Sequence, residues 1–317
     1  MTYHRELEPS VPLRRLSRRA WLREGTLVLA GSGVMTAAAA FAVPQAPPPL
    51  RIGLVADIHH ADRDTAGSRH YRESLAKYAE AAQRFAAEGA ALQIALGDSI
   101  DSAASLEAEK GHLQRVVERL AAGLRPSHFV VGNHCVNYLT KREFLDIVGQ
   151  EQSFYAFDQG GYHFVLLDAC FRSDGVAYAR ENFTWTDANI PPDQLAWLRD
   201  DLASTDLPTL VCVHQRLDAE PPYGIGNAAE VRQILEDSGK VRAVLQGHYH
   251  PGDYRELGGI HYATLMAMVE GSGEENSAYA ILDLFADGQI RLTGFRRQPD
   301  LNAAIHNTFG AATGRER

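Results

Sequence analysis

Five apolar stretches of this chain stop on side chains that bind cations or move protons. LVADIHH ends on Asp57, His59 and His60. IALGDSID ends on Asp98 and Asp101, and FVVGNHC on Asn133, His134 and Cys135. LVCVHQ ends on His214, and VLQGHYH on His248 and His250. Glycine precedes the polar residue in three of the five, which lets the backbone turn sharply so that the next side chain points into a shared space. Imidazole nitrogens mixed with carboxylate and amide oxygens, without thiolates, suit borderline divalent ions such as Mn, Fe or Zn. The donors are too many for one ion and suffice for two. Two ions about 4 Å apart around a shared carboxylate are a hydrolytic arrangement. A lone D-x-H, G-D or strand-end His is weak, because most such His are satisfied core or surface residues. The ordered conjunction carries the argument.

These residues need elements that end together. Short apolar runs read as strands over 51–56, 92–96, 128–131, 163–168, 209–213, 243–245, 260–264, 279–284 and 289–295. Longer amphipathic runs read as helices over 70–88, 106–122, 141–148, 192–204 and 228–238. In the first helix Leu75, Ala79, Ala82 and Phe85 recur at helical spacing. Asn227, with Glu230 three residues on, is placed to cap the last helix. Strand–helix alternation in the first half implies a largely parallel sheet. The last three strands, with turns such as ADGQ, read as antiparallel. In open α/β sheets ligands gather at the carboxyl ends of strands, so all five polar sets are expected on one edge.

The chain has 317 residues and a formal net charge of -9. Residues 1–25 hold six Arg against three Glu, +3, so the remainder carries -12. An acidic body disfavours non-specific nucleic-acid binding and a DNA-processing nuclease, which need Lys and Arg on the phosphates. The three cysteines, Cys135, Cys170 and Cys212, are odd in number and lack metal-site spacing, so they read as small buried hydrophobes. Arg18 and Arg19, an uncharged run from Thr26 to Val43 and Ala40-Phe41-Ala42 make the three-part layout of a secretory signal. The order Ser-Arg-Arg-x-aromatic-Leu resembles a bacterial twin-arginine signal, which implies export of a folded chain to the periplasm or beyond. Residues 1–42 are therefore expected to be a signal peptide, with a membrane anchor as the outcome if it stays uncleaved. Residues 43–50 read as a Pro-rich linker, 51–298 as the folded domain and 299–317 as a loose tail.

The ordered motif set over about residues 51 to 297 resembles the calcineurin-like metallophosphoesterases. The resemblance implies a four-layer α/β/β/α sandwich with mixed sheets and two divalent ions. Position by position, it implies that Asp57, His59, Asp98 and His250 hold one ion and Asp98, Asn133, His214 and His248 the other, Asp98 being the bridge. It places His134 beside the phosphoryl group, with Asp101 orienting it, and implies hydrolysis by a metal-bridging hydroxide. Cys135 stands where the family usually has Asp or Glu, and is expected to fill space next to the ligands. His60 is expected at the mouth, as a substrate contact or a plain surface His.

Substrate choice should lie in the loops over the strand ends, here 170–192 and 214–227. Arg172, Arg180, Tyr178, Phe183, Trp185 and Tyr223 are their candidate substrate contacts, the aromatics by stacking on a base or sugar or, more simply, by pinning the loops. VADIHHADRDT, SRHYRESL, FVVGNHCVN and GIHYATLMAMVEG are similar to the manganese-dependent ADP-ribose/CDP-alcohol diphosphatases. That branch often has Gln where His59 stands. It implies a small nucleotide-like phosphoanhydride substrate and Mn as the metal. The alternatives are an exported phosphomonoesterase of the alkaline phosphatase type and a non-catalytic metal-binding module. Nothing in the sequence sets the oligomeric state.

Overall fold

The computed structural model describes residues 48–301. The expected signal peptide and nearly all of the tail lie outside the described residues, as does most of the Pro-rich linker. Among the described residues, eleven strands form two sheets. The first has five, in the order β11 (Ile290–Arg296), β10 (Ala278–Leu284), β1 (Leu50–Val55), β2 (Leu92–Ala95), β3 (Ser127–Phe129). The second has six, in the order β4 (Tyr155–Gln159), β5 (Tyr162–Leu166), β6 (Thr209–Cys212), β7 (Val241–Gln246), β9 (Ile260–Thr264), β8 (Asp253–Leu257). Strands β1, β2 and β3 run parallel, as do β5, β6, β7 and β9. Antiparallel strands flank both sheets. The reading of β9 as antiparallel is therefore half corrected: it pairs antiparallel with β8 but parallel with β7.

The residues of β2, β5, β6 and β9 are buried throughout, so these strands read as continuous apolar runs rather than alternations. Alternate faces still go to different partners. Ile52, Leu54, Leu92 and Ile94 meet Phe164, Leu166, Leu210 and Leu245 between the sheets. Val55, Ala95, Val165 and Val211 belong to the outer core shared with the helices. Helices α1 (Ser74–Ala87), α2 (Leu106–Ala121), α3 (Lys141–Val148), α4 (Pro192–Ser204) and α5 (Ala228–Ser238) supply the outer layers. The result is the expected four-layer sandwich. Gly53 shows how tight the helix–sheet seam is: a Cβ there would lie 2.4 Å from the Phe85 ring of α1. Burying that ring is worth roughly 2–3 kcal/mol.

Three helices match their expected spans, and 70–88 resolves into a 3-10 turn at Tyr71–Glu73 followed by α1. The buried face of α1 is Ser74, Lys77, Tyr78, Ala81, Ala82 and Phe85, so a lysine lies on it. Thr140 and Glu143 close a reciprocal cap on α3, and Gly149 ends that helix with φ 73. Asn227 precedes α5 but does not cap it by its side chain; its amide instead bonds the backbone N–H and C=O of Ile190, tying the 170–192 loop to α5.

Candidate metal centre

The parallel strands deliver their last residues to one place. Backbone bonds zip the turns after β1 and β2 together: Asp57 N–H to Gly97 O (3.2 Å), His59 N–H to Asp98 O (2.8 Å) and His60 N–H to Ser99 O (3.1 Å). Asp57, His59, Asp98 and His248 take positive φ of 53°, 45°, 45° and 69°. Such backbone costs on the order of 1–3 kcal/mol per residue and persists only where the surroundings over-determine it. Small residues make that possible. A Cβ on Gly132 would lie 2.2 Å from the Asp98 backbone nitrogen and carboxylate, and one on Gly97 would lie 2.3 Å from the His214 ring.

Three sets of possible ligands overlap: Asp57, His59 and His250; Asp98, His214 and His248; and His59, Asp98 and His134. Within each, one atom per residue lies within 4.8 Å of the others. Asp98 joins two sets, its Oδ2 being 3.6 Å from His59 Nε2 and 3.1 Å from His214 Nε2. Six of the seven expected ligands fall in these sets; Asn133, the seventh, lies in the turn after β3, 4 % exposed and with its Oδ1 without a protein partner.

The donor chemistry fits cations. His214 donates its Nδ1–H to Leu96 O at 2.8 Å, which leaves Nε2 with a lone pair. That lone pair faces Asp98 Oδ2 and also His248 Nδ1 at 3.2 Å. His250 donates Nδ1–H to Glu270 Oε1 at 2.5 Å, so its Nε2 is bare too, 3.2 Å from His59 Nε2 and 3.6 Å from Asp57 Oδ1. Lone pairs converging on carboxylate oxygens call for positive charge, which the His59 proton supplies in part and a divalent ion would supply in full. The outer partners Leu96 O and Glu270 fix each ring's tautomer and orientation, as around bound metals.

The electrostatics agree. Burial raises the Asp98 carboxyl, but His214, His134 and His59 outweigh it and hold the group well below the usual carboxylate range. Asp57 and Asp101 are lowered by their His neighbours against the same burial. Glu270 is held at about 2, chiefly by its bond to His250. Burial lowers His59, but the Asp101, Asp57 and Asp98 carboxylates overcome it and bring the ring to about 9. Burial and the nearby His214 push His248 down to about 3. The site therefore keeps its carboxylates charged and attracts positive charge.

His134 lies at the opening, its side chain 27 % exposed and its ring 4.7 Å from that of His59. Its Nδ1 is 3.0 Å from Asp101 Oδ1, the contact expected from the GDSID spacing. Cys135 is buried, and its sulfur accepts the Ser99 N–H at 3.3 Å. Burial and the nearby Asp98 push its thiol up to about 12, so it fills space as a thiol. All three cysteines are free and buried.

The substrate candidates separate. Tyr223 lies 40 % exposed with its ring 6.0 Å from that of His248, and Trp185, equally exposed, is 5.4 Å from it. Tyr178 and Phe183 stack on each other at 4.0 Å, and Tyr178 Oη donates to Asp187 O; they pin the loop. Arg172 turns to Asp174 and to Asn182 O within its own loop. His60 is corrected: it is not at the mouth but buried, 6 % exposed, against His112.

Two residues that matter were not singled out by sequence. Glu270 orients His250, and the ammonium of Lys77 bonds the carbonyls of Met268 (3.0 Å), Glu270 (3.0 Å) and Gly271 (2.6 Å), gripping the loop that carries Glu270. The signal for Glu270 lay in MAMVEG, which docks on SRHYRESL through His70 N–H to Val269 O and Gly271 N–H to Ser68 O; Lys77 lies two residues past SRHYRESL and had none.

A model of the calcineurin-like phosphoesterases matches residues 50–252. The chain belongs to that family and is a hydrolase acting on phosphate esters. A manganese-dependent ADP-ribose/CDP-alcohol diphosphatase from Arabidopsis thaliana is 23 % identical over 299 residues, covering 79 % of this chain and 95 % of the relative. Among solved structures, a dimetal phosphatase from Danio rerio superposes with a TM-score of 0.71 at 23 % identity, over 80 % of this chain and 98 % of that one. A purple acid phosphatase from yellow lupin gives 0.51 at 16 % identity, over 80 % of this chain and 53 % of that one.

Proposed function

We propose that this chain hydrolyses a phosphoanhydride or phosphodiester bond in a small nucleotide-like molecule, with two divalent ions, Mn foremost, in the centre described. The observation that carries the reading is the pair of buried ligand sets joined by Asp98. Asp57, His59 and His250 would hold one ion with it, and Asn133, His214 and His248 the other. Such ions polarise phosphoryl oxygens and lower the pKa of bound water. The chain's own residues do the rest. Asp101 fixes the His134 ring at the opening, where it is placed to deliver a proton to the leaving oxygen. Trp185 and Tyr223 offer exposed aromatic faces beside His248, suited to a base or sugar. The diphosphatase relative acts, by its name, on ADP-ribose and CDP-alcohols, which agrees with those faces. The arginine pair and apolar run of the N-terminus support export of the folded, metal-loaded chain.

The test is a side-by-side assay of residues 43–317 loaded with Mn, on ADP-ribose, CDP-choline, a chromogenic phosphodiester and a phosphomonoester. Preferred turnover of ADP-ribose or CDP-choline is expected. Turnover of the phosphomonoester alone would replace this reading with that of a phosphomonoesterase.

A further inference from the structure

Glu109 stands on the first turn of α2 and is 0 % exposed. A buried carboxylate is unfavourable unless a cation or hydrogen-bond donors replace its hydration. Lys110, next to it, pairs instead with Glu143 of α3 at 3.1 Å, and among the described residues no cation pairs with Glu109. Its partners are backbone N–H groups. Oε1 accepts that of Ala103 at 3.4 Å, and Oε2 accepts those of Tyr138 and Leu139 at 2.8 and 3.1 Å. Burial raises the carboxyl above its usual value, against these bonds.

The donors come from two turns of the metal centre. Ala103 lies two residues after Asp101, whose Oδ1 accepts the Ser102 N–H at 2.7 Å and meets His134 Nδ1 at 3.0 Å. Tyr138 and Leu139 follow the turn that carries His134. One carboxylate on a 16-residue helix thus joins both halves of the Asp101–His134 pair. His134 is fixed from its other side by its N–H to Asp98 Oδ1 at 2.9 Å. Asp57, His59 and Asp98 are held by the bonds between the turns after β1 and β2, ahead of the residues that Glu109 grips.

We propose that Glu109 is a positioning residue: it sets Asp101 against His134, and with it the delivery of a proton to the leaving oxygen. The inference rests on the role given to His134 above.

The experiment measures turnover by the Mn-loaded full chain on two esters of thymidine 5′-phosphate. The 4-nitrophenyl ester releases a stable anion that needs little protonation, and the phenyl ester a basic one that needs it. Glu109→Ala is expected to lose about tenfold or more in kcat on the phenyl ester and under about threefold on the nitrophenyl ester, with KM and bound Mn unchanged. Glu109→Gln keeps the shape and one acceptor oxygen, so it serves one turn and not both, and should show the same bias to a smaller extent. A general loosening of the fold would slow both esters alike. His134→Ala on the same pair is the reference. Equal losses in the Glu109 variants where His134→Ala shows the bias, no loss, or loss of bound Mn would overturn the inference. If His134→Ala shows no bias, or the wild type cleaves neither ester, the functional reading fails by itself. Glu109 is then judged by hydrogen exchange. Glu109→Ala should speed exchange over residues 101–104 and 134–139 together while the middle of α2 keeps its protection; unchanged exchange in either turn would overturn the inference.

Discussion

At the scale of the residue, the donor types were legible in the sequence because metal chemistry restricts them. Only a few side chains carry a lone pair a divalent ion accepts, and five strand ends presented them in order. What spacing could not show is which residue stands behind each ligand. Glu270 is 20 positions from His250 and meets it only because the chain folds back. His60 misled for the opposite reason: it adjoins a ligand in sequence, but the backbone after His59 turns it inward. His134 and Asp101 allow a clean separation of chemistry from structure. His134→Ala removes a group that is not among the ligands of either ion as we assign them, so turnover should fall by about 10²- to 10⁴-fold. Metal content by mass spectrometry should not change. Asp98→Ala should instead empty both positions. Unchanged turnover in His134→Ala would remove it from the proton path.

At the scale of the element, long periodic helices and buried parallel strands were legible, while β4 and β8 were not. Both are edge strands of the second sheet with half-exposed residues, as in DYREL, so neither the apolar run nor clean alternation marks them. The α1 helix was recognised, but its buried lysine was not, because a lysine on an apolar face reads as an interruption. Lys77 is buried to hold the loop 268–271, whose other ties include Met268 N–H to Ala56 O and Val269 N–H to Asp57 O, besides the bonds to Ser68 and His70. Lys77→Met would strip the donor from those carbonyls, at about 2–3 kcal/mol. It would also let Glu270 drift from His250. Mn affinity should therefore drop by about 10- to 100-fold, matching Glu270→Gln. A Lys77→Met protein with lower stability in urea but unaltered Mn affinity would show that the strand-end bonds alone set the position of Glu270.

At the scale of the whole molecule, both pH and metal are expected to bear on stability. Away from the site, pH acts through ordinary burial. His128 stacks on Phe157 at 4.1 Å and burial holds it at about 4. Folding thus favours its neutral form, so this stability is complete above the unfolded value of about 6.5 and is lost as pH falls toward 4. His128→Phe should flatten that part of the acid limb in urea titrations; an unchanged slope would exclude it. His163, raised by Asp158 and Asp201 against its burial, has the opposite sign and loses its contribution as pH rises.

The metal centre acts on a larger scale because it ties the two sheets together. His214 of the second sheet bonds Leu96 O of the first, and the chain after β9 bonds back to Ala56 and Asp57. Between them stand Asp57, Asp98, Asp101 and Glu270, all held in the charged form. The histidines around them offset part of that charge, and divalent ions held there would add to that offset and bridge the seam. An ion present at a thousand times its dissociation constant adds about 4 kcal/mol to the folded state. For a domain of this size that corresponds to about 10 °C in Tm. Dialysis against EDTA at pH 7.5 should lower Tm by that amount, and Mn should restore it while Mg, a poor match for imidazole, should not. Equal melting of stripped and reloaded protein, with Mn bound, would mean that the sheets hold their edge without the ions.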